Sequence, residues 1–383
     1  MSPGNSVSAK WHILPVFTIL FIFFVHPHCS TGALATWMHI GIAGSSLYQA
    51  PDFVLNPQIH SDTQNTPDTA WCSTIPGLVD HQLVLCRRTP IVFAQVSSAA
   101  KLAIMECQNQ FRHDLWNCTT TNDHTVFGKV AVKGNRETAF IAAISSAAVV
   151  HAVVRACSSG NLTDCSCDMR REGQRDNVNG WKWSGCSDNV EFGMEFSRLF
   201  NDAPEDIKRH DSRSIRDVMH LHNKAAGRMA VQRSMKIQCR CHGVSGSCEM
   251  KTCWNTVQNF HVVGSALKKK YSRAVWIAKK SISKLKRREM KSKRKPIRKD
   301  DLVYIDKSPD YCRANRKRGI PGTTGRICNS SVAASNSCKR MCCGRGHYTK
   351  VVWRKDRCKC KFIWCCNVQC EVCQKRYEIN YCR

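Results

Sequence analysis

The sequence predicts an α+β, disulfide-rich protein. A helical N-terminal domain precedes a small cysteine-rich C-terminal domain of β-hairpins and loops. Three observations predict this. Apolar residues step at helical spacing through residues 71–267. Cysteines number 25 in 383 residues, and 12 of them crowd between Cys312 and Cys382, where no helical stripe runs. An apolar run near the N-terminus sends the chain to an oxidising compartment, where such cysteines pair.

The first 35 residues read as a secretory signal peptide. Lys10 precedes "ILPVFTILFIFFV", residues 13–25, which is short of the roughly 18 residues a spanning helix needs. "ALAT" follows, with Ala33 and Ala35 at the small-residue spacing of a cleavage site. A cut after Cys29 leaves an even number of cysteines, as a disulfide framework requires. The same setting disfavours zinc at Cys-x-x-Cys pairs such as Cys370 and Cys373, so no metal site is expected. Residues 36–70 are rich in Ser, Asn, Pro, Gln and Asp and are expected to be a variable, irregular segment. Order is expected from Trp71–Cys72.

Val92, Val96, Ala99, Ala103, Cys107 and Phe111 mark one face of a first helix. "ETAFIAAISSAAVVHAVVRACSSG" is apolar nearly all round and reads as a buried core helix stopping near Gly160. His151 within it reads as a satisfied core histidine. A further helix is expected over "SIRDVMHLHNKAAGRMAVQRSM".

Residues 268–300 read as a basic linker or a solvated helix face, with 16 Lys or Arg before Asp300 against one acid, Glu289. Such blocks repel themselves and bind polyanions. The net charge of +29 points the same way. Outside the cell the available polyanions are sulfated glycans and acidic lipid headgroups, not nucleic acid. Sequons at Asn117, Asn161 and Asn329 fit that location as candidate N-glycosylation sites.

"CRCHGVSGSCEMKTCW", residues 239–254, packs four cysteines around a Gly-Val-Ser-Gly-Ser tip. Three readings compete: a nucleophile loop, a plain stapled turn, and a modification site. A nucleophile elbow needs G-x-S-x-G, but position 247 is Ser. His242 lies in the same short loop and is a poor base for Ser245. No catalytic residue is therefore expected, and the protein is not read as an enzyme.

Several blocks, in order, resemble the Wnt family of secreted, acylated signalling proteins. These are "ECQNQFRHDLWNC", the apolar helix above, "GWKWSGCSDNVEFG", "LHNKAAGR", "CRCHGVSGSCEMKTCW", "CCGRGHY" and "CKCKFIWCCNVQCEVC". The resemblance spans roughly residues 71–383. Ser184 and Ala225 depart from the family's usual Gly and Glu.

The resemblance implies that Ser245 carries a palmitoleoyl ester at the tip of a β-hairpin thumb, residues 239–253. Cys239 would pair with Cys253, and Cys241 with Cys248. A finger hairpin over 358–373 would join Cys358 to Cys373, Cys360 to Cys370, and adjacent Cys365 to Cys366. The residue numbers of these pairs have nearly constant sums, as on an antiparallel ladder. Trp364, Cys365, Cys366, Asn367 and Val368 would form a receptor-binding tip. The remaining implied pairs are Cys107–Cys118, Cys157–Cys165, Cys167–Cys186, Cys312–Cys343, Cys328–Cys338 and Cys342–Cys382. Cys72 and Cys86 are left to each other.

The implied partners are the cysteine-rich domain of a Frizzled receptor and a low-density-lipoprotein-receptor-related co-receptor. A Porcupine-type acyltransferase would attach the lipid, and a Wntless-type carrier would export the protein. The acyl chain would associate with membranes, and the basic linker with heparan sulfate of the extracellular matrix. No cofactor is implied beyond the acyl chain and N-glycans. A matrix-associated, heparan-sulfate-binding or decoy protein without agonist activity is the alternative.

Overall fold

The computed structural model describes residues 36–42, 69–75, 77–120, 126–176, 180–208, 213–279, 285–288 and 295–383. The expected signal peptide lies outside them.

Helix α1, Asp80–Arg88, leads at once into α2, Pro90–Phe111, with proline in its first turn, where its missing N–H costs nothing. All six of the apolar positions read from the sequence of α2 are fully buried. Helix α3, Arg136–Ser158, begins where the Asn135 side chain accepts from the Thr138 amide at 2.8 Å. It is the central rod of the domain. Ala139 to Ala143, Ala147 to Val150, Val153 and Val154 have no exposure, so its all-round apolarity is spent on protein neighbours. The His151 Nε2–H donates to the Gln258 carbonyl at 3.0 Å, and burial lowers the pKa of the ring.

Strand β1, Lys182–Trp183, precedes α4, Val190–Asn201. Helix α5, Ile215–Arg233, opens on a capping box between Ser214 and Asp217. It carries "LHNKAAGR", and the structure accounts for Asn223, Lys224 and Arg228. Asn223 exchanges two hydrogen bonds with Val303 (2.9 and 2.8 Å). Lys224 pairs with Glu205 (2.5 Å), and Arg228 grips Asp202 with two bonds (2.9 and 2.7 Å), all four side chains being buried. Gly227 sits where a Cβ would stand 2.0 Å from the Ala143 carbonyl oxygen of α3. Only glycine lets these helices meet.

Strands β2, Lys236–Cys241, and β3, Lys251–Thr256, pair antiparallel, and β1 joins β3 in parallel. Helix α6, Phe260–Ser272, closes the helical part.

Two expectations need correction. The segment before Trp71 is not wholly irregular: Thr36–Gly41 forms a 3-10 turn that buries Trp37 and Met38, and Trp37 meets Phe200 edge-on at 5.0 Å. Two large apolar side chains outweigh the turn-forming composition around them. The basic linker does not begin at 268, because α6 runs to Ser272. Part of it is also built into the fold. Strand β4, Val275–Trp276, pairs in parallel with β5, Val303–Tyr304. Val275 and Ile277 join Met219, Val303 and Ile305 in a second small core, with Leu285 and Ile297 against it. The few apolar residues of the run anchor it, while long cationic side chains reach solvent. Some cations of residues 268–300 are paired internally, Lys279 with Asp306 at 3.0 Å and Lys270 with Asp300.

The C-terminal part has strand order β6-β8-β7, where β6 is Ile327–Cys328, β7 is His347–Ile363 and β8 is Asn367–Cys382. Its small core is Cys328, Cys338, Met341, Cys342 and Cys382. The disulfides, not apolar bulk, hold it. It is tied to the helical part by Arg326, which donates to the Leu115 carbonyl at 2.8 Å, and by Tyr311 and Ile320, which enter the main core.

Candidate functional site

Two stapled hairpins project chemistry that the cores do not consume. In the thumb, Cys239 and Cys253 face each other across β2 and β3 and are bonded, with Cα atoms 4.1 Å apart. Cys241–Cys248 closes the loop beyond. The root is held by Asp188, which accepts from the Val257 amide (2.6 Å) and the Thr256 hydroxyl (3.0 Å). Ser184 takes an ordinary backbone at this root and donates to Glu172 at 2.9 Å. The departure from glycine is therefore accommodated.

The tip is a tight turn. The Gly243 amide donates to the Ser247 carbonyl (2.8 Å), and the Gly246 amide to the Gly243 carbonyl (2.9 Å). A Cβ on Gly243 would strike the Ser247 hydroxyl at 1.9 Å. Ser245 takes φ 54° and ψ 27°, a left-handed backbone that costs a non-glycine residue roughly 1 kcal/mol. The loop accepts this cost and keeps Ser245 exposed, beside Val244 at 86% exposure. Ser247 points inward, its hydroxyl buried without a hydrogen-bond partner. The two serines thus differ: one is presented and one is sequestered.

The nucleophile reading finds no support in this geometry. The His242 ring is engaged with the Thr252 hydroxyl at 2.7 Å, so His242 is not held as a base for Ser245. The cysteine clusters with metal-ligand spacing, Cys328 with Cys342 and Cys382, and Cys358 with Cys373, have their sulfurs in disulfides. They have no thiolate to give.

The finger is the outer end of a long antiparallel pair, β7 with β8, bonded from His347↔Cys382 to Ile363↔Asn367. Cys358–Cys373 and Cys360–Cys370 brace it. The ladder is not regular: Cys358 stands opposite Glu371, and the register shifts across Lys359, whose φ is 47°. Such a bulge twists the pair and re-aims its tip. The vicinal bridge between Cys365 and Cys366 is absent; both are free and exposed. Each takes a positive φ, 69° and 73°, so the main chain alone turns the corner between Ile363 and Asn367. Trp364 is 92% exposed, with Phe362, Ile363 and Val368 also exposed. These residues do not form a local core under the disulfides.

The other bridges are Cys72–Cys86, Cys107–Cys118, Cys157–Cys165, Cys167–Cys186, Cys312–Cys343, Cys328–Cys338 and Cys342–Cys382. Asn161 and Asn329 are exposed; Asn117 is half-buried and accepts from the Thr119 hydroxyl of its own sequon.

Sequence reasoning did not single out Asp188, Thr252 or Met250. Asp188 acts across 68 or more residues on the thumb root, a relation that no local spacing announces. Met250, exposed beside the thumb turn, adds to the apolar surface around Ser245.

A family model described as the wnt family matches residues 74–383. Wnt-16 proteins of Bos taurus and Mus musculus are each 42% identical over 92% of this chain and 93% of their own. Human Wnt-2b is 44% identical over 82% of this chain and 83% of its own. A solved structure of human WLS in complex with WNT8A matches with a TM-score of 0.55 and 35% identity, covering 76% of this chain and 95% of that one. With the match running from the first core helices to the last disulfide, this chain belongs to the Wnt family.

Proposed function

We propose that this Wnt signalling ligand is secreted, acylated on Ser245, and grips the cysteine-rich domain of a Frizzled receptor at two places. The observation that carries the reading is the exposed serine on a doubly braced turn, beside Val244 and opposite an inward-facing Ser247. A modifying enzyme can reach the Ser245 hydroxyl, and an attached chain stands clear of the body. A palmitoleoyl group offers about 14 carbons for burial, at ~0.8 kcal/mol each, a ceiling on the order of 11 kcal/mol. That approaches the roughly 12 kcal/mol of a nanomolar complex. The finger supplies the second contact through Trp364, Asn367 and Val368, with Cys365 and Cys366 forming the turn between them. Its two disulfides preorganise it, so little entropy is lost on binding.

An exposed acyl chain needs handling. A Porcupine-type acyltransferase would install it and a Wntless-type carrier would shield it; the match to a structure of WLS with WNT8A supports the carrier. A low-density-lipoprotein-receptor-related co-receptor would complete signalling. Cations of the 273–299 run that remain unpaired would retain the protein on heparan sulfate, and N-glycans would sit at Asn117, Asn161 and Asn329.

The test is binding of the secreted protein, with and without Ser245→Ala, to an isolated Frizzled cysteine-rich domain. The proposal expects at least a 100-fold loss, roughly 3 kcal/mol. Equal binding by both proteins contradicts it. An unmodified Ser245 in a protein that binds heparin but does not signal would establish the decoy alternative.

A further inference from the structure

Residues 313–318 carry four cations, and no acid stands in the sequence between Asp310 and Asp356. All six are exposed. Asn315 and Ile320 exchange main-chain hydrogen bonds at 2.7 and 3.0 Å, and Arg316–Arg318 forms the 3-10 turn between them. Gly319 follows with φ 67°, a left-handed backbone that suits glycine. The loop is pinned at both ends, because Tyr311 and Ile320 enter the main core.

Three runs of three adjacent cations fall among the described residues. Residues 268–270 lie within α6, where Lys268 pairs with Asp114 and Lys270 with Asp300. In residues 286–288, Arg287 donates to the Lys295 carbonyl at 3.1 Å, and the Arg288 guanidinium lies 4.2 Å from the Trp276 ring. Residues 316–318 differ. The Arg318 main-chain amide donates to the Asn315 side chain at 3.1 Å. Their three cationic side chains make no hydrogen bond, ion pair or ring contact among the described residues.

We propose that the peptide bond from Arg318 to Gly319 is a processing site for a serine protease selective for Lys-Arg pairs. Such an enzyme seats the arginine before the cut in an acidic pocket, and these free cations offer the complementary charge. Exposed loop tips are where proteolytic nicking concentrates. The loop must extend to enter the enzyme, which costs the two Asn315–Ile320 bonds and the turn bonds, a local opening and not a global one. Gly319 sets no side chain against the enzyme beyond the cut. Water adds to the Arg318 carbonyl carbon and the C–N bond breaks, leaving an Arg318 carboxylate and a Gly319 ammonium group. Among the described bridges only Cys312–Cys343 spans this bond, while Cys328–Cys338, Cys342–Cys382 and both finger bridges lie beyond it. The product is a two-chain molecule in which one disulfide ties the finger to the helical body. The proposal rests on the secreted reading above, and not on acylation or receptor binding.

The experiment is limited digestion of the full-length protein in detergent by a convertase specific for paired basic residues. It is followed on gels with and without reductant, and the fragments are sequenced from their N-termini. The first cut should leave one band without reductant and two with it, the smaller beginning at Gly319. Lys317→Gln with Arg318→Gln should slow that cut at least about tenfold, because the acidic pocket is left unpaired. The melting temperature of this variant should not move, since neither side chain is engaged. Lys286→Gln with Arg288→Gln should leave the cut as fast as in the parent. A first cut in the basic linker overturns the proposal. So does an unchanged rate in the Lys317 and Arg318 variant; if that variant also leaves heparin at lower salt, the loop is a polyanion contact instead. Medium from cells that cleave a control Lys-Arg substrate should contain the fragment beginning at Gly319, and intact chain alone there overturns the proposal. Protein recovered from lysate serves equally for the digestion, so a failure of secretion and a failure of the cut are read separately.

Discussion

Ser245 and Ser247 are two residues apart and chemically identical, yet the turn assigns them opposite surroundings. The left-handed backbone at Ser245 and at Gly246 (φ 78°) throws the first hydroxyl outward, and the Gly243 contact folds the second inward. Ser245→Ala should abolish acyl labelling of the secreted protein, whereas Ser247→Ala should retain it; metabolic labelling with an alkynyl fatty acid distinguishes them. Buried histidines give a second residue-scale prediction. Burial holds His220 down to about 3 from 6.5, and lowers His151 and His222 as well. The folded protein then binds fewer protons than the unfolded chain at pH values below about 6.5. Stability is present above that value and is lost as pH falls through it, by at most ~1.4 kcal/mol per pH unit for each histidine. The melting temperature should fall between pH 7 and pH 5, and a flat profile would contradict the assignment. Gly227→Ala places a methyl group against the Ala143 carbonyl, so it should cost at least about 2 kcal/mol and reduce secretion, read by immunoblot of medium against lysate.

At the scale of elements, the hairpins are light structures whose rigidity comes from covalent rungs. Replacing Cys241 and Cys248 together by alanine removes a loop constraint worth about 2.5 kcal/mol. The core helices should keep their circular dichroism while acylation at Ser245 falls, because the acceptor turn is no longer held. Trp364→Ala should weaken receptor binding by about 30-fold, the loss of one central apolar anchor, with secretion unchanged. Much of this was legible in the sequence. The buried stripe of α2 and the all-round burial of α3 follow from spacing alone. The thumb is legible because its cysteines and glycines lie within sixteen residues. What was not legible depends on distant partners. Trp37 and Met38 lie in a turn-rich stretch, and only Phe200 and its neighbours explain their burial. The basic run hides Val275 and Ile277, whose partners are Met219, Val303 and Ile305. The finger departs from a plain ladder at Lys359, because a bulge leaves no trace in cysteine spacing.

The whole molecule combines a helical body, two projecting stapled tips and a net charge of +29. This division lets stability and recognition reside in different places: ion pairs such as Lys224–Glu205 and Arg228–Asp202 lie buried among the helices, while apolar Val244 and Trp364 stand in solvent at the tips. Exposed apolar tips and an excess of cations fit the proposed hand-over between carrier, matrix and receptor. The most direct measurement is mass spectrometry of the thumb peptide from protein secreted into the medium, paired with a receptor assay on the same sample. The account predicts a palmitoleoyl ester on Ser245, absent from Ser247, in the fraction that binds and signals. A protein that signals fully with an unmodified Ser245 would contradict it.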